Sequence, residues 1–199
     1  MEAAAAHRTP LPLLDARMLH AIPTAEAMFR AVAEREGVAD KFDIDSCGTG
    51  GGNPGWYKPD GWSYHEGDES DPRMTAAAIK RGVRLTSRSR PLRPEDFRRF
   101  QYVVGMDANN IRAILTAADF WAGNGSRDQL PPLDEVRGQV SLMTQYCSDK
   151  FKGASEIPDP YYGGPQGFET VLDLLDDACS GLLRSIQEQQ GAAATEKGA

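Results

Sequence analysis

One acidic residue of this chain lies between two prolines and beside two tyrosines. The segment is Ile157-Pro158-Asp159-Pro160-Tyr161-Tyr162-Gly163-Gly164-Pro165-Gln166-Gly167-Phe168. Each proline ring fixes its own φ, so the Asp159 carboxyl group is held on a short rigid segment, and the glycines allow tight turns before a helix. Such a segment can aim one acid and two aromatic rings into a cleft. An ordered surface turn with a buried tyrosine pair is the alternative interpretation.

The composition limits the kinds of partner. The 199 residues fit one domain, and 22 Lys and Arg against 29 Asp and Glu give a net charge of -7 at pH 7. This acidic balance disfavours non-specific binding to nucleic acid or to an anionic membrane surface. No run of eighteen apolar residues predicts a transmembrane helix. We therefore expect neither nucleic acid nor a membrane as a partner.

The cysteines and histidines do not predict a metal site. Cys47, Cys147 and Cys179 have neither metal-ligand spacing nor the even count of a disulfide framework, and His65 is explained as a surface hydrogen-bonding group. We expect no metal and no other cofactor. The cysteine usage favours a reducing compartment, the cytoplasm, while an alanine-rich start up to Leu14 leaves a plastid as the alternative.

Strand and helix patterns alternate along the chain. Apolar spacing predicts helices that begin near Thr24 and at Asp71-Pro72, and further helices over 109–118 and 168–186. Short runs rich in β-formers predict strands over 42–46, 83–86, 102–106 and 140–143. The alternation predicts an α/β fold, an open and mostly parallel sheet flanked by helices, with ligands beyond the carboxyl ends of the strands.

Several separate blocks resemble the low-molecular-weight protein tyrosine phosphatase family, over roughly residues 23–186. The blocks are Pro23-Thr24-Ala25-Glu26-Ala27-Met28-Phe29-Arg30, Ile44-Asp45-Ser46-Cys47-Gly48-Thr49, Tyr64-His65-Glu66-Gly67 with Asp71-Pro72-Arg73-Met74, Gly105-Met106-Asp107-Ala108-Asn109-Asn110, and the Asp159 segment. The insertion over 50–63 is similar to one in plant-like members. The resemblance implies a flavodoxin-like fold and metal-free hydrolysis of phosphotyrosine proteins or small aryl phosphates.

The resemblance also implies roles for single residues. Asp159 would be the general acid that protonates the leaving phenolate, and Tyr64, Tyr161 and Tyr162 would bind the substrate. Ser46 and Asp107 match positions that support the phosphate loop of the family, so here they would be supports without a loop to hold.

The phosphate loop itself departs from the family pattern C-x-x-N-x-C-R-S-P. Its last proline falls on Pro23, so Asp15 occupies the position of the nucleophilic cysteine and Ala21 that of the arginine; Met18, His20 and Ile22 replace the asparagine, second cysteine and serine. A carboxylate that accepts phosphoryl groups normally needs a bound metal, and Ala21 has no donor for phosphoryl oxygens. We predict that the chain as written is inactive. The alternative function is a non-catalytic interaction protein, and the oligomeric state stays open.

The same N-terminal segment affects the expected fold. Pro10 and Pro12 argue against a central strand, and residues 15–20 have a helical pattern. We expect residues 1–22 to be a divergent segment that replaces the first central strand and the phosphate loop. A phosphatase-like domain over 23–190 and a disordered tail over 191–199 would follow. Two explanations fit the lost loop: true decay, or a variant transcript or misassigned first exon.

Overall fold

A computed structural model describes residues 9–15, 22–124, 129–162 and 164–196. The strands in these ranges form one parallel sheet of order β2-β1-β3-β4, with β1 (Thr9–Asp15), β2 (Phe42–Gly48), β3 (Val103–Gly105) and β4 (Val140–Leu142). Helices surround it: α1 (Ile22–Arg35), α2 (Pro72–Lys80), α3 (Asp96–Arg99), α4 (Ala108–Gly123), α5 (Leu133–Gln139) and α6 (Gly164–Glu196). The predicted α/β fold, a parallel sheet flanked by helices, is confirmed.

The expected loss of the first central strand is wrong. β1 lies between β2 and β3 and pairs with β2 from Thr9 to Asp15. The N–H groups of a strand alternate between its two neighbours, so the donors missing at Pro10 and Pro12 fall on one edge only. Pairing with β3 is confined to Leu13 and Leu14, beyond both prolines. The half of β1 that contains Pro10 and Pro12 therefore pairs with one strand only, β2. Because the two prolines are two residues apart, both missing donors fall on the same edge of the strand, and this pairing tolerates them.

Two hydrophobic cores cover the two faces of the sheet. Val104 belongs to the core that α1, α2 and α6 complete, and its neighbour Val103 belongs to the core beneath α4 and α5. This division follows from the alternation of side chains along a strand. Because both faces of the sheet are covered at β3, its successive residues Val103 and Val104 are both buried.

Side-chain caps begin two helices that follow loops at the site. Asp71 accepts hydrogen bonds from the Arg73 and Met74 amides and precedes Pro72 at the first position of α2. Asp107 accepts from the Asn110 amide at 2.7 Å and begins α4. The cap at Asp71 was predicted from the sequence, whereas the cap at Asp107 is shown by the structure.

Two local predictions differ from the structure. Residues 83–86 form no strand, and the chain instead passes the end of β2 through an isolated bridge between Gly48 and Pro91. The polar composition after residue 190 predicts a tail, but α6 continues to Glu196. Alanine, the best helix former, fills positions 192–194, and this extends the helix.

Candidate functional site

The Asp159 segment is tied to the sheet and to α6. Ile157, which is 1% exposed, donates its amide to the carbonyl oxygen of Met106, the residue after β3, at 2.9 Å. On the other side of Asp159, Pro160 is buried, and a Cβ at Gly167 would lie 3.4 Å from the Pro160 carbonyl oxygen. The segment is thus anchored at both ends, as its prolines predict.

The Asp159 carboxyl group is exposed and oriented. Its Oδ1 accepts a hydrogen bond from the Tyr161 amide at 2.8 Å, at the start of the short 3-10 helix Pro160–Tyr162. This contact closes a local turn and fixes the Asp159 side chain. The second carboxyl oxygen therefore has a defined direction. The role of Asp159 as a general acid stays a prediction.

Arg73 connects α2 to this segment. Its guanidinium carbon lies 4.9 Å from the centre of the Tyr161 ring and 5.2 Å from that of Phe168, and its Nη2 donates to Asp71 at 2.9 Å. The hydrogen bond to Asp71 is the largest cause that raises the pKa of Arg73, and the charge of Asp159 acts in the same direction. Sequence reasoning missed this residue as a site contact, although its place two residues after a helix cap was visible.

The predicted substrate-binding tyrosines lie on different elements. Tyr161 is 48% exposed on the Asp159 segment, whereas Tyr64 is 45% exposed on the insertion, where its ring packs at 4.2 Å from that of Trp62. The backbone of Tyr162 completes the 3-10 helix, and its side chain lies outside the described residues. Their assignment to substrate binding stays a prediction.

The predicted loop positions lie between β1 and α1. Asp15 is the last residue of β1 and is in register with Gly48 of β2, so it stands at the carboxyl edge of a central strand. Ala21, with residues 16–20, lies outside the described residues, and α1 begins at Ile22. Parallel α/β folds bind ligands at this edge of the sheet.

A buried carboxylate links α1 to β2 and to the loop that contains Ser87. Glu26 of α1 is 4% exposed, and its Oε2 accepts from the Ser46 and Ser87 hydroxyls, each at 2.7 Å. Its Oε1 accepts from Arg30 at 2.9 Å. Three donors compensate the loss of water around this charge. Ser46 therefore has a partner in the α1 helix, a role that sequence reasoning did not assign.

Asp107 also has a structural task. Besides beginning α4 it precedes Asn110, which is fully buried and accepts from the Met106 amide at 3.0 Å. These bonds hold the turn after β3, from which Met106 supports the Asp159 segment. The turn and the acid are consequently one connected unit.

The thiols of this chain are unsuited to nucleophilic attack. Burial raises the pKa of Cys47 well above its ordinary value, and burial raises the pKa of Cys179 as well. Burial also raises the pKa of Cys147, which is half-buried. A nucleophilic cysteine needs the opposite shift, because the thiolate is the reactive form.

Within the described ranges, no group of three or more His, Cys, Asp or Glu side chains is arranged to hold a metal ion. No helix of that part of the chain has the length and apolarity needed to cross a membrane.

Comparison with known proteins identifies the family. Residues 21–192 match the family described as low molecular weight phosphotyrosine protein phosphatase, and the chain belongs to it. Protein tyrosine phosphatase is therefore its function by descent. Residues 1–20 lie outside the matched range.

Individual relatives agree in extent. A Synechocystis protein with the same family designation is 39% identical over 167 residues, which are 84% of this chain and 89% of that protein. A low molecular weight protein-tyrosine-phosphatase of Streptomyces coelicolor is 34% identical over 173 residues, 86% of this chain and 90% of its own. The crystal structure of a protein tyrosine phosphatase from Entamoeba histolytica with Hepes in its active site matches with a TM-score of 0.72 at 30% identity, covering 92% of this chain and 99% of that one. The likeness spans the whole domain.

Proposed function

We propose that this chain is a non-catalytic member of the low molecular weight phosphatase family, one that no longer hydrolyses phosphotyrosine or aryl phosphates. One observation carries the proposal: β1 ends at Asp15 and α1 begins at Ile22. The spacing in sequence from Asp15 to Ala21 equals that from cysteine to arginine in the family pattern, so the strand end falls on a carboxylate instead of a cysteine. The arginine position, Ala21, has no donor.

The chemistry of the loop explains why these two changes would stop turnover. The family nucleophile is a thiolate stabilised at a helix N-terminus, where backbone N–H groups and the helix dipole lower its pKa. The arginine binds two phosphoryl oxygens while they gather charge. Loss of one transition-state donor commonly costs about 2.7–4 kcal/mol, and loss of the nucleophile closes the covalent route, so the two losses do not simply add.

The remaining groups cannot replace the nucleophile. Asp159 can supply a proton but is not placed to attack phosphorus in the family mechanism, and the raised pKa values of Cys47 and Cys179 keep both thiols protonated at neutral pH. An intact acid next to a lost nucleophile is the combination expected of a pseudophosphatase.

The aromatic side chains favour an interaction role for what is left. Trp62, Tyr64 and Tyr161 are 55%, 45% and 48% exposed, respectively, in a chain whose other large apolar groups are mostly buried. Exposed aromatic rings are common anchors of protein contacts. We infer that the partner is a protein, with a phosphotyrosine protein as the class that the family supplies.

A cytoplasmic location is part of this proposal, with a plastid as the alternative. Its support is the cysteine chemistry, because Cys47, Cys147 and Cys179 are all free thiols. Imaging of the full chain with a C-terminal fluorescent fusion tests the location, and a plastid signal would replace the cytoplasmic assignment.

The activity is tested with the purified chain and p-nitrophenyl phosphate at mildly acid pH. We expect no vanadate-sensitive turnover above buffer. Turnover that vanadate inhibits and that scales with protein concentration over repeated purifications would contradict the proposal. In that case a variant with serine at Cys47, Cys147 and Cys179 would show whether another thiol serves as the nucleophile.

A further inference from the structure

A cleft lies between the insertion over 50–63 and α4, at the carboxyl edge of the sheet. Its volume is about 380 Å³, within the range of small-molecule sites. Thr49, directly after β2, lines it, together with Trp56 and Tyr57 of the insertion and Arg112 and Thr116 of α4. It shares no residue with the Asp159 segment.

The aromatic wall of the cleft is packed in place. Trp56 is 6% exposed, and its ring lies 5.8 Å from the Trp121 ring of α4, edge to face. The indole N–H of Trp121 donates to the Tyr57 carbonyl oxygen at 2.8 Å, and the Tyr57 ring packs 5.2 Å from that of Phe120. The wall is consequently preorganised, so a ligand would bind without first ordering it.

Glycines allow the insertion to approach this closely. A Cβ at Gly50, where φ is +90°, would lie 2.4 Å from the Trp56 ring, and one at Gly61 would lie 2.3 Å from the Gly55 carbonyl oxygen. The Asn53 side chain closes the turn by accepting from the Gly55 amide at 3.0 Å and donating to the Trp62 carbonyl oxygen at 2.6 Å. This segment forms a built wall of the cleft.

Two polar groups of the cleft lack the partners that such groups usually have. Thr49 is 3% exposed, and its hydroxyl has no hydrogen-bond partner within the described structure. Most buried hydroxyls are paired. Arg112 donates to the neutral amide oxygen of Asn109, and no carboxylate of the described residues pairs with its guanidinium. The Thr49 hydroxyl is itself buried, so the group that the cleft offers to a ligand is the Arg112 cation beside the aromatic rings.

We propose that this cleft binds a small aromatic carboxylate. The planar guanidinium of Arg112 matches a carboxylate with two parallel hydrogen bonds, and the ligand ring would pack on Trp56 and Tyr57. The site uses neither Asp15 nor Ala21, so it stands or fails independently of the lost activity.

The test is a titration of the ¹⁵N-labelled full chain with benzoate and with benzamide, its neutral analogue. We expect benzoate to shift the Trp56 indole N–H and the backbone amide of Arg112 and to saturate in the millimolar range, which suits so small a ligand. Benzamide should bind about ten-fold more weakly or worse, because it lacks the charge that Arg112 pairs with.

Substitutions separate this site from a general effect on the fold. Arg112→Gln should remove the preference for benzoate over benzamide. Arg137→Gln is the matched control, since Arg137 pairs with Asp119 and lies outside the cleft, and it should leave binding unchanged. The proposal is overturned if the Trp56 signal does not move, or if Arg112→Gln retains the full preference for benzoate.

Discussion

We assign the Asp159 segment and the β1–α1 junction to the two halves of one family site as part of the proposal, and the two regions differ in the contacts that hold them. The Asp159 segment is fixed by contacts to the sheet and α6 that include Ile157 and Pro160. At the junction the strand ends at Asp15 and the helix begins at Ile22, and the sequence between them has Asp15 and Ala21 where the family pattern has cysteine and arginine. The scaffold of a site is stabilised by packing and backbone pairing, so catalytic residues can change while the scaffold persists. Four experiments test whether the two regions differ in this way.

The largest effect is expected from restoring the loop. Replacing residues 15–22 so that Cys stands at 15 and 20, Asn at 18, Arg at 21 and Ser at 22 should raise p-nitrophenyl phosphate hydrolysis at least about 10⁴-fold over the parent chain. The reason is that strand, helix and acid are already in place. Steady-state kinetics measure the gain.

The matched control for that graft is the same loop with Ser at position 15. It should fold equally well and stay inactive, because a neutral hydroxyl lacks the depressed pKa of the cysteine. A graft that folds yet shows no activity would mean that the two halves are not correctly placed relative to each other.

The next effect concerns the acid in the restored chain. Asp159→Asn there should lower kcat by about 10²-fold or more for substrates with poor leaving groups, since general acid catalysis contributes roughly 10²–10⁴-fold. The loss should be smaller for p-nitrophenyl phosphate, whose leaving group needs little protonation. Equal losses with both substrates would argue that Asp159 acts only on the structure of its segment.

A third experiment measures how much the packing of α6 contributes to the free energy of unfolding. Leu175 of α6 is 0% exposed, and Leu175→Ala should lower the free energy of unfolding by about 2–5 kcal/mol, through lost burial and the cavity left behind. Ile79→Ala is the control, because Ile79 is 58% exposed and a surface change should stay within about 0.5 kcal/mol. Urea denaturation measures both. Similar values for the two variants would show that burial of Leu175 contributes little to the free energy of unfolding.

The smallest effect is a pH dependence from the buried thiols. Burial raises the pKa of Cys47 and of Cys179 in the folded state, so above about pH 8.5 the unfolded chain loses these protons first. The unfolded state then binds fewer protons, and the free energy of unfolding falls as pH rises, by at most about 1.4 kcal/mol per pH unit for each thiol. Below about pH 8.5 the contribution of these two thiols to the free energy of unfolding is fully present and does not change with pH. Replacing both cysteines with alanine should flatten the slope between pH 8.5 and 10, and an unchanged slope would assign it to other groups.

Much of the fold was readable from local patterns. The cap at Asp71, the apolar face of α6 and the short run over 102–106 each depend on neighbours within a few residues, and the structure has an element at each place. The fold class follows from their alternation. The rigidity of the Asp159 segment was likewise predictable, because prolines and turn geometry act locally.

Other features were decided by long-range contacts. β1 forms despite Pro10 and Pro12 because its neighbours lie far along the chain, and only the register with β2 and β3 shows that the missing donors are tolerated. Glu26 became a buried acceptor through Ser46 and Ser87, which are distant in sequence. Amino-acid types reveal which backbone conformations and hydrogen bonds are available, whereas burial and pairing depend on the partners that tertiary folding brings together.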